Sequence, residues 1–166
     1  MMKVLFVCLG NICRSPLAMG YFNQLAEQRG LAKIMHADSA ATSNYNIGDS
    51  PDFRTRKNAK ENGLELSHCA RQITPQDLQN FDFIVAMDYD NRKNIASLLT
   101  NPARQARKVL LLRDFDPQPG NGAVPDPYYG GDEEFAEVYT IIKRCMPYFM
   151  DFLQLRLAEN QKQELA

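Results

Sequence analysis

Lys3-Val4-Leu5-Phe6-Val7-Cys8-Leu9-Gly10-Asn11-Ile12-Cys13-Arg14-Ser15-Pro16 is the stretch on which the fold turns. Lys3 to Val7 is a short β-branched and aromatic run of the kind found in buried strands. Cys8 to Arg14 contains a glycine and an asparagine and reads as a loop. Ser15-Pro16 offers an N-cap followed by proline at the first helical position, a strong helix start. Leu17, Met19, Tyr21, Phe22 and Leu25 carry that helix toward Gly30. Gly20 inside it lowers helix propensity, and close packing at that point is the expected compensation. A strand feeding a helix through a tight loop is the opening unit of an α/β protein.

The pattern repeats downstream. Strands are expected at Ile34 to Ala41, Asp82 to Met87 and Lys108 to Leu112, with helices opening at Ser50-Pro51-Asp52 and Thr74-Pro75 and spanning Asp90 to Leu99. Asn62-Gly63 closes the helix that opens at Ser50. Asp114 to Gly131 is rich in Pro, Gly and Asp and is expected to be a long surface loop, a length that usually signals function or mobility. Asp132-Glu133-Glu134 starts a last helix, its acidic residues complementing the dipole and Phe135, Val138, Tyr139 and Ile142 forming its buried stripe. Pro147 should end or kink that helix, and the polar residues after Leu157 should fray. The reading is therefore one α/β domain over residues 1–157 with a polar tail over 158–166. It has three layers, a four-stranded parallel sheet between helices, in the flavodoxin-like order 2-1-3-4. In such sheets ligands sit beyond the carboxyl ends of the strands where the order reverses, which selects the loop carrying Cys8.

Composition narrows the function. The chain has 166 residues, 45% hydrophobic and 23% charged, and a formal net charge of -1. That size suits one core, and the balance gives no bulk attraction to nucleic acid or membranes. The apolar run at the N-terminus is too short for an export signal, and no stretch is long enough to cross a bilayer. Cys8, Cys13, Cys69 and Cys145 are then expected as free thiols in a reducing compartment, with the cytoplasm as location and a monomer as the default state.

The loop has a definite chemistry. A cysteine nucleophile acts as the thiolate, and three features here favour that form: the helix start after Ser15, the fixed cation of Arg14, and Gly10, which lets successive backbone N–H groups turn inward. The same arrangement holds a phosphate dianion, and Arg14 can grip two phosphate oxygens as a fork. Leu9 to Cys13 are enough to wrap one tetrahedral anion. Ser15 has two available roles, capping the helix and donating a hydrogen bond to the sulfur as it leaves. Taken singly, an inert buried cysteine and a solvated arginine are the commoner outcome; their combination with the strand before and the cap after disfavours it. A zinc site needs two further ligands, which the adjacent His68-Cys69 supply awkwardly and Arg14 would repel. A nucleotide-binding Gly-x4-Gly-Lys-Ser/Thr motif does not occur.

These residues resemble the low-molecular-weight protein tyrosine phosphatases. Val7 to Pro16 is similar to that family's phosphate-binding signature throughout, and Asp126-Pro127-Tyr128-Tyr129 resembles its acid-loop motif. Asp38-Ser39-Ala40-Ala41 and Ser67-His68-Cys69-Ala70-Arg71-Gln72-Ile73 also look like family segments. The resemblance implies Cys8 as nucleophile, Arg14 as phosphate and transition-state binder, and Asp126 as general acid and then base. It implies a supporting network of Asn11, Ser15, Ser39 and His68, with His68 structural rather than basic. Cys13 becomes a thiol able to pair reversibly with Cys8 on oxidation. Tyr128 and Tyr129 become walls for a flat substrate; Tyr45, at the position of a rim aromatic, becomes a further contact. No metal or cofactor is implied, and the expected partners are proteins carrying phosphotyrosine. Three rivals are a protein-arginine phosphatase of the same superfamily, a thiol-dependent arsenate reductase and a silent phosphate-binding module. Ile12 with the paired tyrosines favours phosphotyrosine over phosphoarginine, Cys69 lacks the cysteine neighbour that arsenate reduction needs, and pure binding needs neither nucleophile nor acid.

Overall fold

A computed structural model describes residues 1–165. Four strands, β1 (Met2–Cys8), β2 (Met35–Ala41), β3 (Phe83–Ala86) and β4 (Val109–Leu111), form one sheet in the order β2-β1-β3-β4. Every pairing is parallel. Helices α1 (Arg14–Gln28), α2 (Phe53–Glu61), α3 (Asp77–Asn80), α4 (Tyr89–Ala96), α5 (Pro102–Gln105) and α6 (Asp132–Glu164) connect and cover the strands. This is the expected topology, and β1 is the switch point because the chain leaves it toward β2 on one side and returns to β3 on the other.

The apolar run of β1 is central because both its faces are buried. Val4, Phe6 and Cys8 point into a core shared with α1 and α6, while Leu5 and Val7 point into a second core with Ile84, Ile95 and Leu111. Side chains alternate along a strand, so a continuous hydrophobic run needs cover on both sides. The α1/α6 side is aromatic: Phe149 lies 5.0 Å from Phe115 and 6.0 Å from Phe6 between ring centroids. At Gly20, a Cβ would run into Leu66 Cδ2, so the glycine does mark a close approach.

Several local expectations are corrected. Helix α1 begins at Arg14, with Cys13 at the N-cap position and no side-chain cap. Ser15 therefore does not cap, because its hydroxyl is taken up by Cys8 and Asn11. Pro16 falls at the third helical position, still within the first turn, where no intrahelical partner needs its missing N–H. Within the expected Ser50-Pro51-Asp52 opening, Asp52 is the residue that caps α2, accepting from the Arg54 N–H. Pro147 does not end α6, and residues 158–164 are helical instead of frayed. A proline inside a helix costs about 3 kcal/mol. Burial of Phe149, Met150 and Leu153 beyond it, about 1.5–3 kcal/mol each, more than offsets that. The last two turns expose their side chains and continue the helix through local backbone bonds and an Arg156–Glu159 pair at 3.1 Å. No described helix is long and apolar enough to cross a membrane.

Truncating the ring at the centre of the aromatic cluster should be costly: Phe149→Ala is expected to lower unfolding free energy by about 3–5 kcal/mol, measured by urea denaturation.

Candidate active site

Between the end of β1 and the start of α1 the chain makes a turn held by Asn11. Its φ of +57° is the only positive value among the described non-glycine residues, a conformation asparagine tolerates better than most side chains. The Asn11 carboxamide is fully buried. The backbone N–H of Arg71 donates to its Oδ1 at 3.1 Å, and His68 Nε2 lies 2.8 Å from the same oxygen. A backbone N–H can only donate, so Oδ1 is the acceptor and the amide orientation is settled. Nδ2 then donates to Ser15 Oγ at 2.8 Å and to Ser39 Oγ at 2.9 Å. With Ser15 Oγ accepting from Asn11, its single proton is available to Cys8 Sγ, 3.0 Å away, or to the Ala40 carbonyl at 3.5 Å; a Cys8 thiolate, which can only accept, draws it to the sulfur.

The same logic identifies the tautomer of His68, whose Nε2 carries the proton it donates to Asn11. Burial lowers the His68 pKa below its ordinary 6.5, aided by Arg71 and opposed by Asp38. Arg71 is itself held by Asp38 and Asp77 at 3.0 Å each.

The loop carbonyls are tied outward. Thr42 N–H donates to Cys8 O at 2.9 Å, Ser43 N–H and hydroxyl donate to Leu9 O at 3.1 and 2.7 Å, and Asp52 N–H donates to Ile12 O at 2.7 Å. In a planar trans peptide the N–H of the next residue points the opposite way. Leu9, Gly10 and Cys13 thus present N–H groups to the concave side, an anion nest. At Gly10 a Cβ would lie 2.7 Å from Asn46 Nδ2, so a larger residue there requires the Asn46 side chain to move aside.

Arg14 leaves the first turn of α1 and is 2% exposed. Its Nη1 donates to Asp88 Oδ2 at 2.6 Å and to the Val124 carbonyl at 3.0 Å. Nη2 lies 3.5 Å from Asp126 Oδ2. Burial works against the guanidinium charge, yet the Cys8 sulfur, Asp88 and Asp126 outweigh it and hold the pKa above its usual value. Asp126 is on the long loop with its side chain 43% exposed, its Oδ1 accepting from Tyr128 N–H at 3.2 Å. Tyr128 and Tyr129 meet edge to face at 5.1 Å. Together with Tyr45 they border a cleft of about 280 Å³ whose floor holds Cys8 and Arg14 and whose wall holds Asp126.

Two loops far apart in sequence thus meet over one cysteine. A sequence profile described as low molecular weight phosphotyrosine protein phosphatase matches residues 3–163. The human protein of that name is 42% identical over 149 residues, covering 90% of this chain and 94% of the human one. The chain belongs to this family. A protein tyrosine phosphatase from Entamoeba histolytica superposes with a TM-score of 0.87 at 35% identity, over 97% of this chain and 99% of the other. A Drosophila arginine phosphatase superposes with a TM-score of 0.83 at 34% identity, over 92% and 98%.

In this phosphatase all the anticipated loop residues surround or support one cleft. Cys8, Leu9, Gly10, Ile12, Cys13 and Arg14 line it, while Asn11, Ser15, Ser39 and His68 stand behind it as one hydrogen-bonded group. Burial pushes the Cys13 thiol up to about 12, against a lowering hydrogen bond from Thr55, so it stays protonated at neutral pH.

Sequence reasoning missed the residues that brace the two loops. Asp88 holds Arg14 with one carboxylate oxygen and caps α4 with the other, accepting from Asn91 N–H at 2.7 Å. Arg54 grips Asp52 through two parallel bonds of 3.0 Å, donates to the Tyr128 carbonyl at 2.9 Å, and lies over the Tyr128 ring at 5.4 Å. Since Asp52 also holds Ile12, this pair links the cysteine loop to the acid loop. Arg113 donates to Ala123 O at 2.6 Å and to Gln118 O at 3.0 Å. Its Nε lies 2.8 Å from Asp116 but is poorly aligned, a charge contact more than a hydrogen bond. Asp52 and Asp88 carried a legible cap signal, an Asp just before a helix; Arg54 and Arg113 carried none.

The lowered pKa of His68 has a consequence for stability. Below 6.5 the unfolded chain binds a proton at His68 that the folded chain refuses, so stability rises with pH up to that value. Urea-unfolding free energies measured between about pH 5 and 7 should climb more steeply for the wild type than for His68→Asn; equal slopes would contradict a half-buried imidazole held neutral.

Proposed function

We propose that this phosphatase hydrolyses phosphotyrosine in proteins through a phosphocysteine on Cys8. The observation that carries the reading is the convergence of Cys8 Sγ, the Arg14 guanidinium and the Asp126 carboxyl on one cleft with tyrosine walls. The phosphate dianion sits in the nest of Leu9, Gly10 and Cys13 N–H groups, with two oxygens on the edge of Arg14 that faces the cleft and Asp126. Cys8 sulfur attacks phosphorus in line as the ester P–O bond breaks. Asp126, protonated for this step, gives its proton to the departing phenolate oxygen. Water then attacks the phosphocysteine, Asp126 takes a proton from it, and the sulfur leaves as a thiolate that accepts a hydrogen bond from the Ser15 hydroxyl. The charge is handled by Arg14 and the loop amides, so the reading needs no metal or cofactor.

Tyr128, Tyr129 and Tyr45 supply flat walls suited to a phenyl ring. Tyr129 is 98% exposed, so its contact requires a substrate with bulk outside the cleft, as a protein has. The Drosophila neighbour, named an arginine phosphatase, makes phosphoarginine the second reading; Ile12 and the tyrosine pair favour phosphotyrosine. Cys13 lines the same cleft, and on oxidation of Cys8 its thiol would close a reversible disulfide. A monomer in the cytoplasm is the setting that accommodates free thiols at this site.

Cys8→Ser is expected to abolish turnover of p-nitrophenyl phosphate while vanadate binding by calorimetry persists; surviving turnover removes Cys8 from its role. Asp126→Ala should slow phenyl phosphate by about 10²–10³-fold and p-nitrophenyl phosphate much less, because the poorer leaving group needs the proton more. Equal losses for the two would remove Asp126 as the acid. Phosphotyrosine and phosphoarginine peptides assayed side by side decide the substrate.

A further inference from the structure

Leu9 and Tyr45 line the catalytic cleft on one side and a second groove of about 410 Å³ on the other. That groove lies between the segment following β2 and the carboxyl end of α4. Its apolar floor is Ile73 and Leu98, and its polar groups come from Thr42, Asn44, Gln72, Asn94 and Ser97. No charged residue lines it, although 23% of the chain is charged. The contrast with the neighbouring depression is sharp. That one, about 460 Å³ and also bordered by Leu9 and Asn94, contains Asp88, Asp90 and Lys93.

The groove is preformed and has hydrogen-bonding capacity to spare. Thr42 and Ser43 N–H groups pin its wall to the carbonyls of Cys8 and Leu9, and Ile73 N–H donates to Ala41 O at 2.8 Å. Gln72 Nε2 donates to Thr42 O at 3.1 Å, leaving its amide oxygen available. Thr42 Oγ1 is shielded from solvent and has no partner. Ser97 spends its hydroxyl proton on Asn94 O at 2.6 Å. Neutral amides and hydroxyls over an apolar floor match the alternating N–H and C=O of a peptide and side chains without charge. A charged side chain there would lose water and find no counter-ion.

We propose that this groove binds the main chain of the substrate protein beside the phosphotyrosine and selects uncharged side chains at that flank. The proposal rests on the phosphotyrosine reading and adds to it a determinant of which phosphotyrosines are taken.

The test uses phosphotyrosine peptides of one length with alanine flanks, the same peptides with a lysine walked along both flanks, and p-nitrophenyl phosphate. In the wild type, lysine should depress kcat/KM at one flank more than at the other. Asn94→Ala and Gln72→Ala should each lower kcat/KM for the alanine peptide about three- to tenfold, through KM, as expected for one lost hydrogen bond. Hydrolysis of p-nitrophenyl phosphate, too small to reach the groove, should stay within about twofold. Asn94→Asp should selectively restore the peptide whose lysine falls in the groove. Unchanged peptide kinetics in both alanine variants, or equal losses on peptide and p-nitrophenyl phosphate, would overturn the proposal. A wild type that cleaves p-nitrophenyl phosphate but not the alanine peptide would instead strike the phosphotyrosine reading, and this proposal with it.

Discussion

The carboxamide of Asn11 is the constraint on which the site depends. Four hydrogen bonds reach it from four places in the chain: Ser15 in α1, Ser39 in β2, and His68 and Arg71 in the segment before α3. Residues 4 to 60 positions away from it in sequence are needed to supply donors and acceptors of the right kind. Each such bond contributes about 0.5–1.5 kcal/mol net, but leaving one member unpaired in a buried network costs more. The network therefore tends to exist whole or not at all. It holds a backbone conformation that costs roughly 1–2 kcal/mol for a residue with a Cβ, and it passes directionality from the Arg71 N–H through the amide to the Ser15 oxygen beside the sulfur.

The parallel sheet makes that network possible. With β1 between β2 and β3, the end of β1 is flanked by the ends of both neighbours, so the cysteine loop can be tied to β2 on one side and to Asp88 beyond β3 on the other. Arg14 illustrates the electrostatic compromise. A buried guanidinium is expensive to desolvate, and its position is held by a carboxylate at 2.6 Å and a carbonyl contributed by residue Val124, 110 positions later. Those partners occupy one Nη and leave the other edge toward the cleft. The acid loop is braced independently, by Arg54 near its end and by Arg113 near its start, and Asp116 receives a two-bond grip from Arg144 of α6 at 2.7 and 2.8 Å.

Much of this was readable in the sequence because the signals are local. The run before Cys8 and the three later apolar runs mark strands. Asp126-Pro127-Tyr128-Tyr129 marks a loop whose distance from Cys8 only a fold can close. The failures are also physical. Ser15 has the composition of a cap, yet tertiary partners claimed its hydroxyl. Pro147 has the composition of a helix stop, yet the apolar face beyond it was worth more than the missing hydrogen bond. Asn101-Pro102 did carry an N-cap and first-position proline signal for α5, an element the periodicity was too short to raise. Arg54 and Arg113 look like ordinary surface cations until the backbone carbonyls they bind are in place, and no spacing in a single sequence announces such a partner.

Whether Asn11 shapes the oxyanion cradle is tested directly by calorimetric titration of Asn11→Ala with vanadate. The cradle described here predicts affinity weakened by about tenfold or more, the loss of at least one well-made buried hydrogen bond, in a protein whose circular dichroism still shows the folded sheet and helices. Vanadate affinity equal to that of the wild type in a folded Asn11→Ala protein would contradict it.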